Sequence, residues 1–82
     1  MRIDKFLNTI NLIKRRKIAQ DMIEHQLIKI NNITAKSSKF VKVGDIIEIQ
    51  FLEYTKKYKI LKLPEIKNIP KNTKNIYIEE LS

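Results

Sequence analysis

No cysteine occurs among the 82 residues, so neither a disulfide framework nor a thiolate metal site is available to this chain. Glycine occurs once, at Gly44, and proline twice, at Pro64 and Pro70. A single glycine cannot build the Gly-rich loop that wraps a nucleotide phosphate. The scarcity of both residues, beside 43% hydrophobic and 32% charged side chains, argues for a folded chain rather than a disordered one. Long apolar runs are missing too, since no segment approaches the roughly 18 residues that a membrane-spanning helix needs. Met1 leads straight into Arg2 and Asp4, so no secretory leader is expected and the cytoplasm is the expected compartment. The one histidine, His25, has no evident serine or carboxylate partner and is expected at a helix C-terminus, where the dipole favours it. Asp4, Asp21, Glu24 and Asp45 show no metal-ligand spacing. No catalytic residue, metal or cofactor is therefore expected, and the chain is not expected to be an enzyme.

What the chain has in excess is positive charge. Seventeen basic residues against nine acidic ones give a formal charge of +8 and a pI near 9.8. Such a balance points to a polyanionic partner, either nucleic acid or an acidic membrane surface. A membrane surface is not expected, because the apolar helix stripes are needed for a core. The lysine signal is diluted by a general bias: Ile, Lys and Asn make up 37 of the 82 residues. Arginine is more informative. Only Arg2, Arg15 and Arg16 occur, all within the first sixteen residues, and their planar forks suit phosphates and guanine edges in a way that lysine cannot reproduce.

The length allows one domain over residues 1–82. Ile3, Phe6, Leu7 and Ile10 recur at helical spacing and predict a helix over residues 3–10, with Arg2 and Lys5 off its apolar stripe. Asp4 falls in its first turn, where a carboxylate favours the dipole. A second helix is predicted from about Lys14 to Gln26, with Ile18, Ala19, Met22 and Ile23 as its stripe and Asn11 as a possible cap. Beyond it the period changes to that of strands. Residues 27–30 read as a short strand, Asn31-Asn32 as a turn, and residues 33–36 as a second short strand. Val43-Gly44-Asp45 is a tight turn before the alternating strand of Ile47, Ile49 and Phe51. Residues 56–63 read as another strand with a bulge at Ile60-Leu61, residues 64–75 as a loop, and Ile76-Tyr77-Ile78 as a final strand before the acidic Glu79-Glu80. The predicted fold class is α+β: two N-terminal helices followed by a small, mostly antiparallel sheet.

Lys14, Arg15, Arg16 and Lys17 open the second helix, where backbone N–H groups lack helical partners and favour an anion. Arg2 and Lys5 join them if the two helices pack together; a solvated charge run is the alternative. Arg15 shares the angular sector of Ile18, Ala19 and Met22, a costly place for a charge unless that helix end faces a partner. Residues 29–42 hold Lys29, Lys36, Lys39 and Lys42 and no acid. There Lys36, Ser38 and Lys39 have the character of a loop that follows a phosphate backbone. Phe40 is suited to base stacking, with a place in the core as the favoured reading. The candidate RNA-binding residues are thus Arg2, Lys5, Lys14, Arg15, Arg16, Lys17, Lys36, Ser38 and Lys39.

The run Arg2-Ile3-Asp4-Lys5-Phe6-Leu7, then residues 14–19, Ile28-Lys29-Ile30-Asn31, Lys36, Ser38, Val41-Lys42 and Gly44-Asp45-Ile46 resembles the alpha-L RNA-binding motif over about residues 1–50. That motif is shared by a small-subunit ribosomal protein, pseudouridine synthases and tyrosyl-tRNA synthetases. In length the chain is similar to the short stand-alone branch, the ribosome-associated quality control P-site factors. The resemblance implies binding to large-subunit ribosomal RNA and to tRNA on a stalled large ribosomal subunit, in support of a factor that tails the nascent chain. Arg2, Lys5, Arg15 and Arg16 are the contacts it implies. Alternatives are an RNA-targeting module working with an RNA-modifying enzyme, or a heat-shock-type factor that recycles large subunits. A monomer is expected. The chain departs from the family pattern at Gln26 and Asn32, where glycine is usual; both glycines serve left-handed backbone positions.

Overall fold

The computed structural model describes residues 1–65 and 69–81. Two helices, α1 (Ile3–Thr9) and α2 (Arg16–Glu24), precede the strands β1 (Ile28–Ile30), β2 (Ile33–Thr34), β3 (Ile46–Gln50) and β4 (Thr55–Ile60). A 3₁₀ turn (Lys71–Thr73) then leads into a one-turn helix α3 (Lys74–Tyr77) and a last strand β5 (Ile78–Glu80). The five strands form one sheet in the order β2-β1-β3-β4-β5, antiparallel at every pairing. The predicted α+β class is the class observed.

The register explains the core. Ile28 lies opposite Ile49, Ile30 opposite Ile47, Ile47 opposite Tyr58, and Ile60 opposite Ile78. In antiparallel pairs opposed side chains share a face, so these residues make one apolar surface. Ile3, Phe6, Leu7 and Ile10 of the α1 region, with Ala19 and Ile23 of α2, join them in a single cluster. Phe6 and Leu7 are fully buried; a side chain of that size contributes about 1.5–3 kcal/mol when it leaves water.

Both helices end in the same way. Asn11 (φ 64°) follows the last residues of α1, with Leu12 N–H donating to Leu7 O (3.1 Å) and Asn11 N–H to Asn8 O (3.1 Å). Gln26 (φ 62°) follows α2, with Leu27 N–H donating to Met22 O and Gln26 N–H to Ile23 O, both at 3.0 Å. These are paired 6→1 and 5→2 closures, which need a left-handed residue at their centre. His25 is the residue just before that closure, as expected. Asn11 is thus the terminator of α1 rather than a cap for α2. Asn8 holds the connection instead, donating through Nδ2 to Ile13 O (3.2 Å) and Lys14 O (2.9 Å). A glutamine gains nothing from the left-handed region and carries a Cβ penalty of about 1–2 kcal/mol. Gln26→Gly is therefore expected to raise stability, by about 0.5–1 kcal/mol once the freer unfolded chain is counted. A melting temperature a few degrees higher by circular dichroism would bear this out.

The turn between β1 and β2 uses Asn31 (φ 52°) and Asn32 (φ 67°), the double positive φ that a two-residue hairpin of matching twist demands. Asn31 also fastens this turn to the next. Its Nδ2 donates to Asp45 Oδ1 (3.1 Å), and its Oδ1 accepts from Ile46 N–H (3.0 Å). Buried Asp45 in turn accepts from Lys42 N–H at 3.0 Å, so the single glycine turn is anchored from both sides.

Several sequence expectations are corrected. Helix α2 begins at Arg16, not Lys14, because Arg15 is extended (φ −121°, ψ 132°). Arg15 therefore shares no helical sector with the apolar stripe, and the steric argument built on that sector falls away. Ile18 is 45% exposed while Ala19 and Ile23 are buried; the buried line runs at i, i+4, and Ile18 lies a full 100° from Ala19. Residues 76–77 are helical rather than strand, because Thr73 folds back on Pro70 through N–H and hydroxyl bonds to its carbonyl (3.1 and 2.7 Å). The acidic Glu79-Glu80 lie in β5, facing Lys59 and pairing with Lys56 Nζ (2.9 Å). Strand β4 stops at Ile60, so the expected bulge at Ile60-Leu61 is a strand end. Within the expected 64–75 loop, residues 66–68 lie outside the described residues.

Candidate nucleic-acid interface

Asp4 organises the basic face. It is wholly buried, yet four donors from different parts of the chain reach its carboxylate. Lys5 N–H donates to Oδ1 (2.9 Å), Gln20 Nε2 to Oδ2 (3.0 Å), Arg16 Nε to Oδ2 (3.2 Å), and Arg2 Nη2 to Oδ2 (3.4 Å). Arg2 Nε also stands 3.4 Å from Oδ1. Burial by itself pushes this carboxyl up. The hydrogen bonds from Gln20, Arg16 and the Lys5 backbone, with the Arg16 charge, outweigh it and hold the group below its ordinary value. Asp4 is thus ionised at neutral pH and tethers Arg2, at the start of α1, to Arg16, at the start of α2.

The arginines are held without being used up. Each side chain remains 43% exposed. Arg16 engages Asp4 through Nε alone, and its terminal nitrogens have no hydrogen-bond partner among the described residues. An Arg fork fixed at its base and open at its tip is preorganised for a phosphate oxygen pair.

A third segment joins the same face. Residues 36–39 form a turn, with Lys39 N–H donating to Lys36 O (2.9 Å). The N-terminus is stitched alongside: Ile3 N–H donates to Lys39 O, Val41 N–H to Met1 O (both 2.9 Å), and Arg2 bridges Phe40 as an antiparallel pair. Arg2 Nε also donates to Ser37 O at 3.2 Å. Arg2 therefore touches both the α2 start, through Asp4, and the loop of Lys36, Ser38 and Lys39, all exposed.

Of the nine residues singled out from sequence, Arg2 and Arg16 are brought together directly, and Lys36, Ser38 and Lys39 lie on the adjoining turn. Lys5, Lys14, Arg15 and Lys17 are exposed around the first turns of the helices, with no side-chain bond to the Asp4 cluster. Phe40 is 63% exposed, not in the core: its backbone pairs with Arg2 at the surface. Sequence reasoning missed Asp4 and Gln20 as organisers. The available signal was a carboxylate at the edge of an apolar stripe, flanked by Arg2 and Lys5. Among the described residues no His, Cys, Asp and Glu group is placed to hold a metal ion, and no helix is long and apolar enough to cross a membrane.

Residues 1–47 match the S4 domain family. The chain belongs to the S4 domain family. Over 78 residues it is 44% identical to the RQC P-site tRNA stabilizing factor of Helicobacter pylori, a match covering 95% of this chain and 93% of that protein. The Heat shock protein 15 homolog of Haemophilus influenzae is more distant, 37% identical over 65 residues, which span 79% of this chain and 50% of that one. In three dimensions the S4 chain superposes on the trimeric heat shock protein 15 of Vibrio cholerae with a TM-score of 0.89. That match has 26% identity and covers all of this chain and 82% of that one. The Asp4 clamp and the turn at residues 36–39 both fall inside the matched S4 segment.

Proposed function

We propose that this protein is a single RNA-binding domain that acts, without chemistry of its own, in ribosome-associated quality control in the cytoplasm. It binds the large ribosomal subunit and steadies P-site tRNA on stalled complexes, so that a partner factor can extend the nascent chain. The observation that carries the reading is the Asp4 clamp. One buried carboxylate aligns Arg2 and Arg16 on a face continued by Lys36, Ser38 and Lys39. The name of the Helicobacter pylori relative, similar along nearly its whole length, supports the choice of target.

Mechanistically, the open tip of the Arg16 fork and the exposed part of the Arg2 guanidinium engage phosphates of ribosomal RNA and tRNA, and the free N–H groups at the start of α2 add to their pull on an anion. Lys5, Lys14, Arg15 and Lys17 enlarge the field around them. Folded RNA offers backbone and 2′-hydroxyls more readily than base edges, so recognition is chiefly by shape. A heat-shock-type recycling role is the second reading, favoured by the structural likeness to heat shock protein 15.

Sedimentation with purified large subunits separates these readings from each other and from no RNA role at all. The full chain is expected to co-sediment with subunits carrying peptidyl-tRNA and to bind empty subunits at least tenfold more weakly, a difference of about 1.4 kcal/mol. Equal binding to both would sink the P-site assignment, and binding to neither would sink the RNA reading.

A further inference from the structure

Beside the arginine clamp lies a feature whose apolar walls phosphate binding does not use. A groove of about 430 Å³ runs between β2 and the turn at residues 36–39, lined by Ile33, Phe40, Asn31, Lys36, Ser38 and Lys39 among others. Its volume falls within the roughly 300–1,000 Å³ of sites that hold small organic groups. Two large apolar side chains stand open there, Ile33 at 72% and Phe40 at 63% exposure. Phe40 has no ring packed against it among the described residues, whereas Phe51 and Tyr54 pack against each other at 5.0 Å.

The groove has a definite electrostatic character. No acidic residue lines it, and Lys36 and Lys39 are exposed on its rim without an ion-pair partner among the described residues. Its occupant should therefore carry a flat apolar part and a negative part close together. The groove is also continuous with the clamp, since Arg2 bridges Phe40 and its Nε bonds Ser37 O. A phosphate chain lying on Arg2 would bring its next residues to Phe40.

We infer that the groove is a nucleobase site: Phe40 stacks on one unpaired base of the bound RNA. Lys36 and Lys39 hold the phosphate beside that base. This rests on the proposed RNA-binding function and adds to it a site that selects unpaired over paired nucleotides. Aromatic stacking is tolerant of base identity because every base presents a π-face. Asn31 is the groove's amide, but its side chain is committed to Asp45 and Ile46, which leaves only the Thr34 and Ser38 hydroxyls and the two lysines as polar side chains beside the base. Preference should follow stacking strength, purines above pyrimidines.

The test uses the full chain and two RNAs of equal phosphate number, a hairpin with 2-aminopurine in its unpaired loop and a fully paired duplex. Phe40→Ala is expected to weaken hairpin binding about tenfold and to abolish the 2-aminopurine quench that the wild type produces. Duplex binding should stay within twofold, and Phe40→Tyr should restore both signals. Because Phe40 is mostly in solvent, an unchanged melting temperature accompanies these results. Arg16→Ala serves as the reference, weakening both RNAs alike. If Phe40→Ala leaves hairpin binding and quench intact while Arg16→Ala weakens both RNAs, the base site is wrong although the RNA reading stands. If wild type binds neither RNA, both fall together.

Discussion

Asp4→Asn is expected to loosen the fold and disperse the RNA-binding face in a single step. The asparagine keeps the shape and can still accept from Lys5 N–H. Its amide nitrogen, however, takes the place of the Oδ2 oxygen and so confronts Arg16 Nε and Arg2 Nη2, donors that cannot turn into acceptors, whereas Gln20 can present its amide oxygen instead. Removing one partner of a buried pair costs about 3–5 kcal/mol where the remaining charge stays buried. Here both arginines are nearly half in water, so solvent screens what is left, and a loss of about 1.5–3 kcal/mol is the appropriate size. For a chain of this length that corresponds to a melting point lower by roughly 10 °C.

The same substitution has a pH signature. The Asp4 carboxyl is lowered from 3.8 in the folded protein, so the unfolded chain takes up its proton first as pH falls. The stabilisation is complete above the ordinary value and is lost as pH drops through the lowered one. The gap in stability between wild type and Asp4→Asn should therefore be constant from pH 5 to pH 8, then close in acid. Urea unfolding at several pH values measures it. A gap that persists unchanged to about pH 2 would mean that the carboxylate charge is not what matters.

The second large effect concerns binding. Arg2→Ala with Arg16→Ala removes both forks that Asp4 aligns, and the loss in affinity for large subunits should be about a hundredfold or more. Each charge-assisted bond contributes about 1.5–3 kcal/mol, and every 1.4 kcal/mol is tenfold. The slope of log affinity against log salt should also fall by about two, one for each phosphate contact removed. Arg16→Lys discriminates between charge and geometry: it keeps the cation but not the fork, so it should retain the salt slope and lose part of the affinity. The double variant also leaves Asp4 with only Gln20 and Lys5 as donors, so melting curves must accompany the binding curves. A salt slope equal to that of wild type would remove these arginines from the interface.

Much of the architecture was legible from local pattern. The i, i+3, i+4, i+7 spacing of Ile3, Phe6, Leu7 and Ile10 is a property of eight consecutive residues, and so is the alternation about Ile47 and Ile49. The boundary of α2 was less legible, because it is set by Asn8 reaching over to the Ile13 and Lys14 carbonyls. Its exit at Gln26 is a left-handed position without glycine, held by closures that Leu27 completes. Residues 76–77 carry strand-like composition but wind into a helical turn because Thr73 folds back on the Pro70 carbonyl just before them, through bonds that hydrophobic periodicity does not record.

For the candidate site, the amino-acid sequence by itself determined which residue types were available: three arginines near one end, a lysine-rich stretch without acids, one histidine and no cysteine. It determined these because charge and composition need no geometry. Only the tertiary structure decided that Arg2 and Arg16 share one buried carboxylate, that residues 36–39 lie against the N-terminus, and that Phe40 stands in solvent. Those facts depend on pairings between residues 12 to 40 positions apart in the chain. Burial and ion pairing belong to the packed molecule, and a helical period cannot say which of several cations will reach the buried carboxylate of Asp4.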